Sequence, residues 1–206
     1  MLTEKQLKIF EVFAKRPFAE HTRQQIKEEA NAKSNNAMAL TINLLKKENI
    51  IAEKKIGKSG LLTLNIDNDL TFQYIAICNN NRLPHIAKVV LINLKEDITE
   101  ITPFYSIAIF GSYAEGKQKP TSDLDVAIFI ESESTKKHIE AAVNSAKLKS
   151  PVGIDAHVIS KEEMIKMLTD KEENLGKQIA RKHLAAYNNQ IFYEIVKEGI
   201  KHGFRA

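Results

Sequence analysis

The sequence lacks the features of disulfide-linked, membrane-spanning and repetitive proteins. It has a single cysteine, Cys78, so no intrachain disulfide can form. No stretch approaches the roughly 20 consecutive apolar residues that cross a bilayer, and there is no internal repeat or low-complexity segment. The N-terminal MLTEKQLKIF carries charged residues where a secretory signal needs an uninterrupted apolar core. We therefore expect a cytoplasmic protein that does not associate with membranes.

Charge is unevenly distributed along the chain. Residues 1–65 contain 12 Lys and Arg against 7 Asp and Glu, a net charge of +5, whereas residues 66–206 contain 18 against 19, a net charge of −1. This distribution favours a module that faces nucleic acid, followed by a neutral catalytic or binding module. A solvated helical surface rich in lysine explains the same charge equally well.

The first third of the chain has the pattern of three helices and a hairpin. Apolar residues recur at helical spacing in residues 4–15, and Thr22 and Ser34 are suitable N-caps for a second and a third helix. The apolar positions of the third helix follow a helical period at Ala37, Leu40, Leu44 and Leu45. Two strand-like runs, IIAEKKI and LLTLNI, flank GKSG, whose glycines suit a hairpin turn. This order predicts a winged helix-turn-helix domain over residues 1–66.

The rest of the chain predicts helices and then a sheet. Residues 67–103 indicate a connector of two helices, the first ended by the asparagines at 79–81. FYSIAIF, DVAIFI and GIDAHVIS predict three strands of one sheet, with a helix between the second and third. The tail is expected to be mainly helical, with a break near residues 185–189. These patterns predict an α+β fold for residues 104–206.

The acidic residues at the start of the second strand indicate a cation site. Gly111-Ser112 ends one strand, and Asp123-Leu124-Asp125 opens the next. Side chains alternate faces along a strand, so Asp123 and Asp125 are expected to project to the same side. Neighbouring carboxylates repel each other unless a cation lies between them, and hard oxygen ligands suit Mg²⁺ or Mn²⁺. The pair therefore predicts a divalent-cation site.

The residues around this pair suit a phosphate and a third carboxylate. Gly111 lets the backbone approach a phosphate, and the Ser112 hydroxyl and the amides that follow it can donate hydrogen bonds to phosphate oxygens. Asp155 is flanked by apolar residues, an unfavourable place for an acid without a partner. It would serve a metal or act as general base on an acceptor hydroxyl. His157 is expected to point the same way, although such a histidine is more often packed or exposed than a ligand.

The pattern of Gly-Ser, a spacer, Asp-x-Asp and a later apolar-Asp-apolar strand resembles the DNA polymerase beta-like nucleotidyltransferase superfamily. GSYAEG is most similar to the minimal nucleotidyltransferases, and the resemblance covers roughly residues 100–200. It implies a mixed-sheet domain, an NTP substrate with ATP favoured, and two Mg²⁺ ions. By this resemblance, the phosphates bind Gly111 and Ser112, the metals bind Asp123 and Asp125, and Asp155 completes the acidic triad.

One position departs from the family pattern, and a degenerate member can keep the fold without the activity. Many minimal members have arginine where this chain has Glu115. We expect Lys117 or Lys119 to supply the positive charge instead. The alternative interpretation of the motif is an ordinary Gly-Ser loop with Asp123 capping a turn.

The winged-helix interpretation places the third helix in the major groove of DNA, with the hairpin against the backbone. The predicted DNA-contacting residues are Ser34, Asn35 and Asn36 in the helix and Lys54, Lys55 and Lys58 in the hairpin. The alternative is that this module packs on the transferase or binds a protein.

Three functions are compatible with these motifs. The first is an enzyme that transfers an NMP from an NTP to a hydroxyl acceptor by a two-metal mechanism, with a DNA-binding N-terminal module. The second is a DNA-binding transcriptional regulator with a non-catalytic nucleotide-sensing domain. The third is an antitoxin that nucleotidylates a partner toxin. The sequence identifies neither the acceptor nor the oligomeric state.

Overall fold

The computed structural model describes residues 1–56 and 59–205 and divides the chain into two compact units, Met1–Cys78 and Asn79–Ala206. None of the helices in the described residues is long and apolar enough to cross a membrane.

The first unit contains the predicted three helices and two strands, together with one short strand that the sequence did not predict. Its elements are α1 (Glu4–Lys15), β1 (His21–Thr22), α2 (Arg23–Glu29), α3 (Asn35–Lys47), β2 (Ile51–Ile56) and β3 (Ser59–Leu64). The strands form an antiparallel sheet in the order β1-β3-β2. Thr22 and Ser34 cap α2 and α3 as expected, because each side chain accepts a backbone N–H of the first turn. The winged-helix assignment stays a prediction.

The buried face of α3 differs from the predicted one. Leu40 is 61% exposed, whereas the helix buries a neighbouring stripe that includes Met38, Ile42 and Leu45. These three residues lie at positions i, i+4 and i+7, which share one face of a helix. The prediction was right for Leu45, which belongs to both of two overlapping apolar series, and wrong for Leu40, because packing in the folded unit selects the series that includes Met38 and Ile42.

Two helices follow, α4 (Asp69–Arg82) and α5 (His85–Thr99). α4 continues through the asparagines expected to end it, because buried Asn79 donates from Nδ2 to the Ala185 carbonyl at 3.1 Å and so has a tertiary partner. Pro84 directly precedes α5 and is its N-cap residue. The buried face of α5, which includes Val90 and Leu94, belongs to the core of the second unit.

The second unit is an α+β arrangement around a mixed four-stranded sheet, as predicted. Its elements after α5 are β4 (Tyr105–Ile109), α6 (Gly111–Glu115), β5 (Leu124–Ile130), α7 (Lys136–Lys149), β6 (Ile154–Ser160), α8 (Lys161–Thr169), α9 (Leu175–Arg181), β7 (Leu184–Tyr187) and α10 (Asn189–Lys201). The strand order is β6-β5-β4-β7, in which β5 and β6 are parallel and β4 is antiparallel to both of its neighbours.

The fourth strand, β7, corrects the expectation of a simple break in a helical tail. LAAY is too short and too rich in alanine to give a strand signal on its own. It forms a strand because it pairs with β4, across an irregularity between Ile107 and Ala108. The Ser106 hydroxyl also donates to the Tyr187 carbonyl at 2.9 Å.

The two central strands of the sheet, β4 and β5, are buried on both faces. Val126 and Ile128 of β5 pack into the core with α5 and α7, whereas Phe129 lies on the opposite face, 5.0 Å between ring centroids from Phe192 of α10. Because β4 and β5 are antiparallel, the end of β4 lies beside the start of β5. The Gly-Ser and Asp-x-Asp motifs therefore meet at the same end of the sheet.

Candidate active site

Gly111 is held against Asp125 by the pairing of β4 with β5. The backbone N–H of Phe110 donates to the Asp125 carbonyl at 3.1 Å, which extends the ladder to the residue before the turn. Gly111 has φ +61°, and a Cβ there would lie 1.9 Å from Oδ2 of Asp125. Glycine is thus required at this position for two reasons: the backbone is left-handed, and the Asp125 carboxylate occupies the space of a Cβ.

Asp125 and Asp155 are direct partners in the parallel β5–β6 pair, so their side chains project from the same face of the sheet. The pKa of Asp125 is raised, first by burial and then by the negative charges of Asp155 and Asp123. A backbone hydrogen bond from Ser112 and the nearby His157 act in the opposite direction. The strand register therefore builds an acidic pair whose charges oppose each other.

Asp123 lies just outside β5, which begins at Leu124. The expected alternation of faces therefore does not by itself orient Asp123, although its charge acts on Asp125. Its carboxylate lies against Gly153, where a Cβ would be 1.9 Å from Oδ1, and the Leu124 N–H donates to the Gly153 carbonyl at 2.8 Å. The sequence analysis did not single out Gly153. Its one local signal is a glycine directly before a strand.

The acidic pair suits a divalent cation, but the predicted triad does not form a closed metal cluster. Among residues 1–56 and 59–205, no three His, Cys, Asp or Glu side chains come close enough together to hold a metal ion. Asp125 and Asp155 nevertheless offer adjacent carboxylate oxygens, the donors that Mg²⁺ and Mn²⁺ prefer. The pKa of Asp125 is raised first by burial and then by the negative charges of Asp155 and Asp123, and a cation would neutralise those charges. The three-carboxylate ligand set stays a prediction.

His157 points toward Asp155, as the sequence predicts for residues two apart in a strand. Its Nε2 lies 3.5 Å from Oδ2 of Asp155, and its ring lies 5.9 Å from that of Phe110 between centroids. It is therefore a base beside the acidic pair, and its interaction acts to lower the pKa of Asp125.

Glu115, at the end of α6, forms salt bridges with two lysines. Its carboxylate accepts from Lys117 Nζ at 2.6 Å and from Lys182 Nζ at 3.1 Å, and these hydrogen bonds hold its pKa below the ordinary value. Lys119 instead contributes its backbone N–H to the Ser122 hydroxyl at 2.9 Å, and its side chain is exposed. Lys182 was missed because nothing in its neighbourhood of the sequence connects it to Glu115, 67 positions earlier.

Arg82 is a second residue that the sequence analysis missed. Its Nη2 donates to the Ala114 carbonyl at 2.9 Å and so ties the end of α4 to α6, the segment that carries Gly111 and Ser112. An arginine that ends a helix gives no sequence signal for a contact 32 positions away.

The predicted DNA-contacting residues are only partly brought together. The Ser34 hydroxyl accepts from the Ala37 N–H at 3.2 Å, so it serves as a cap, while Asn35 and Asn36 are exposed at the start of α3. Lys54 and Lys55 are exposed neighbours in β2 and so point to opposite faces of that strand. Lys58 lies outside the described residues.

One segment of the chain is similar to a known protein domain. Residues 91–185 match a nucleotidyltransferase domain. This segment runs from α5 to β7 and contains all three predicted catalytic aspartates.

Two further similarities each cover part of the chain. Over 41 residues, 20% of this chain, the sequence is 49% identical to a protein of Methanocaldococcus jannaschii that is named as a candidate protein adenylyltransferase. The chain spans about half of that relative, 48% of its length. A crystal structure of a toxin–antitoxin with AMP-PNP matches 55% of this chain and 84% of its own chain, at 18% identity and a TM-score of 0.34.

Replacing Gly111 by alanine is expected to destabilise the fold more than the same change at Gly116. Both glycines have positive φ, +61° and +69°, so both variants carry left-handed strain of about 1–2 kcal/mol. At Gly116 no atom lies within 4 Å of the added Cβ, whereas at Gly111 it meets the Asp125 carboxylate. Urea unfolding followed by circular dichroism measures both. Equal losses would show that Asp125 does not approach Gly111 closely.

Asp125→Asn is expected to raise the Tm at neutral pH. Because folding raises the pKa of Asp125, the folded chain holds this proton more tightly than the unfolded chain does. The ionised carboxylate therefore destabilises the fold above that pKa. Below the ordinary carboxyl pKa this cost vanishes, so the gain should shrink as the pH falls. Thermal melts across this range test it, with Glu131→Gln, just beyond the far end of β5, as the control. A gain independent of pH would contradict the explanation.

Proposed function

We propose that this protein is a nucleotidyltransferase that transfers an NMP from an NTP, with ATP favoured, to a hydroxyl acceptor. The observation that carries the proposal is the in-register pair Asp125 and Asp155, placed beside the Gly111-Ser112 turn within the matched domain. Two adjacent carboxylates beside Gly111 suit an NTP, because the triphosphate of an NTP binds divalent cations.

The proposed reaction is an in-line displacement at the α-phosphorus of the nucleotide. The acceptor oxygen forms a bond to this phosphorus, the bond to the bridging oxygen of the β-phosphate breaks, and pyrophosphate leaves. Such reactions depend mainly on positioning and on neutralisation of charge. Mg²⁺ bound by the adjacent carboxylates of Asp125 and Asp155, with Asp123 as the predicted third ligand, would supply that neutralisation. The backbone at Gly111 and the Ser112 hydroxyl would bind the phosphate.

Asp155 is the proposed general base for the acceptor. Its side chain is 59% exposed, so a substrate can reach it, and it lies beside Asp125 at the start of β6. A carboxylate within hydrogen-bond reach of the acceptor hydroxyl would take its proton as the oxygen attacks. His157, 3.5 Å away, is suitably placed to orient this carboxylate.

Lys117 and Lys119 are the proposed cationic contacts to the phosphates. Lys119 has an exposed ammonium, while that of Lys117 is bonded to Glu115 and would have to exchange this carboxylate for a phosphate oxygen. Glu115 would thus compete with the nucleotide, in contrast to the arginine of the minimal family members.

A protein is the favoured acceptor. The relative from Methanocaldococcus jannaschii is named as a candidate protein adenylyltransferase, and this supports a hydroxyl side chain of a protein as the site of modification. A partner toxin is one form of this proposal and follows from the resemblance to minimal nucleotidyltransferases.

Asp125→Ala is expected to lower NMP transfer by about a hundredfold or more, in line with the loss of a charge-stabilising group at a reacting centre. Asp123→Ala is expected to act in the same direction. The assay follows label from α-³²P-ATP into a panel of protein, RNA and small hydroxyl acceptors with Mg²⁺, and Asp97→Ala, on α5, is the control. A folded wild type that neither binds NTP with metal nor labels any acceptor would disprove the proposal.

DNA binding by the first unit is the second proposed activity. If the transferase site has no catalytic activity, the protein would be a DNA-binding regulator that senses a nucleotide. The exposed amides of Asn35 and Asn36 begin α3, in a segment with a net charge of +5. Because each lysine that contacts a phosphate releases a counterion, Lys54→Ala should weaken binding and lower the salt slope by about one. Fluorescence anisotropy of the full chain with duplex DNA tests this, with Lys149→Ala as control. Absence of binding at low salt would exclude this activity.

A further inference from the structure

The outer edge of β6 is open. The sheet order places β6 at one end, with β5 as its one strand partner within the part of the chain that the structure describes. A cavity of about 470 Å³ is lined by the four consecutive residues at 156–159. Because successive side chains in a strand point to opposite faces, a cavity that contacts four in a row lies along the strand edge. The backbone groups of an edge strand are a template for pairing with another chain.

Helices form the two walls of this cavity, which we name the β6 groove. Lys136 of α7 lines one wall, and Glu163, Lys166 and Met167 of α8 line the other. Lys136 and Glu163 form an ion pair at 2.7 Å that joins the walls, and Glu163 also accepts the Ser160 N–H at 2.9 Å. The joined end of the groove is therefore the C-terminal end of β6.

The opposite end of the groove leads to the acidic pair. His157 lines the groove, and its Nε2 lies 3.5 Å from Oδ2 of Asp155. At a strand rise of about 3.3 Å per residue, Asp155 is only about 13 Å from Ile159 along β6. An extended molecule in the groove would reach the carboxylates without leaving the strand.

The charges of the groove favour a peptide over a nucleic acid. Its walls carry two lysines, Lys136 and Lys166, and two glutamates, Glu140 and Glu163, so they have no net charge. A nucleic acid binds through an excess of positive charge, which this groove does not offer. An extended peptide gains main-chain hydrogen bonds from a strand edge and specificity from alternate side chains.

We propose that the β6 groove binds an extended segment of the protein acceptor as an added strand and presents its hydroxyl side chain to Asp155 and Asp125. This inference rests on the proposed transferase function. The acceptor oxygen would bond to the α-phosphorus as pyrophosphate leaves, and its proton would pass to Asp155.

The experiment uses the full chain with Mg²⁺, α-labelled ATP and a library of seven-residue peptides, each with one central Ser, Thr or Tyr. Mass spectrometry identifies peptides that gain AMP. The best peptide is then methylated at one backbone nitrogen at a time. Because only alternate N–H groups of an added strand face its neighbour, methylation should lower transfer at least tenfold at every second position and much less at the positions between.

A groove variant and a matched control complete the test. Lys166→Trp places a bulky ring on the exposed groove wall, and Lys171→Trp places the same ring at an exposed position that does not line the groove. The first is expected to raise the KM for the peptide at least tenfold and to leave ATP binding unchanged, and the second to leave both unchanged.

The other outcomes separate this inference from the function on which it rests. Peptide labelling without the alternating pattern, or equal labelling by the two tryptophan variants, would overturn the groove as the acceptor site. Transfer to an RNA oligonucleotide or a small hydroxyl compound, but to no peptide, would overturn it and leave the transferase intact. A chain that neither binds MgATP nor labels any acceptor would disprove both the transferase function and the groove as its acceptor site.

Discussion

Repulsion between two carboxylates on neighbouring strands is the constraint around which the second unit is organised. Asp125 and Asp155 sit side by side because seven residue pairs of β5 and β6 are in register, and a single-residue slip would move one of them to the other face. Apolar residues such as Val126 and Ile128 are completely buried beneath them and hold that register. The folding free energy of the core thus offsets an unfavourable contact at its edge, which is the usual relation between a scaffold and a charged site.

The sequence predicts the parts of this site that depend on residues close together along the chain. The Asp-x-Asp spacing and the apolar flanks of Asp155 are each contained in a few residues, and the strand patterns around them predicted three of the four strands of the sheet. Arg82 and Lys182 were missed because their partners lie 32 and 67 positions away. The strand β7 was missed for the same reason, since it exists through its pairing with β4 and not through its own propensity. The wrong face of α3 has a different origin, because two apolar series competed and only packing distinguishes them.

Outside the acidic pair, several lysines of the second unit form ion pairs with glutamates. Glu115 binds Lys117 and Lys182, and Lys136 binds Glu163, so Lys117, one of the two lysines that the sequence offers to a phosphate, is already paired. A ligand that binds Lys117 must therefore replace its carboxylate partner. A phosphate that binds near α6 would compete with a carboxylate for the same ammonium groups.

The pairing of β4 with β7 has a consequence for how the chain acquires its structure. Ile109 pairs with Leu184 across a sequence separation of 75 positions, and β5 pairs with β6 only after α7 has crossed over between them. Contacts this distant along the chain form slowly, because loop closure must precede any gain from pairing. During synthesis β4 therefore has one edge uncovered until β7 has emerged. Completion of the sheet waits for that event, and until then the uncovered edge of β4 can associate with other chains.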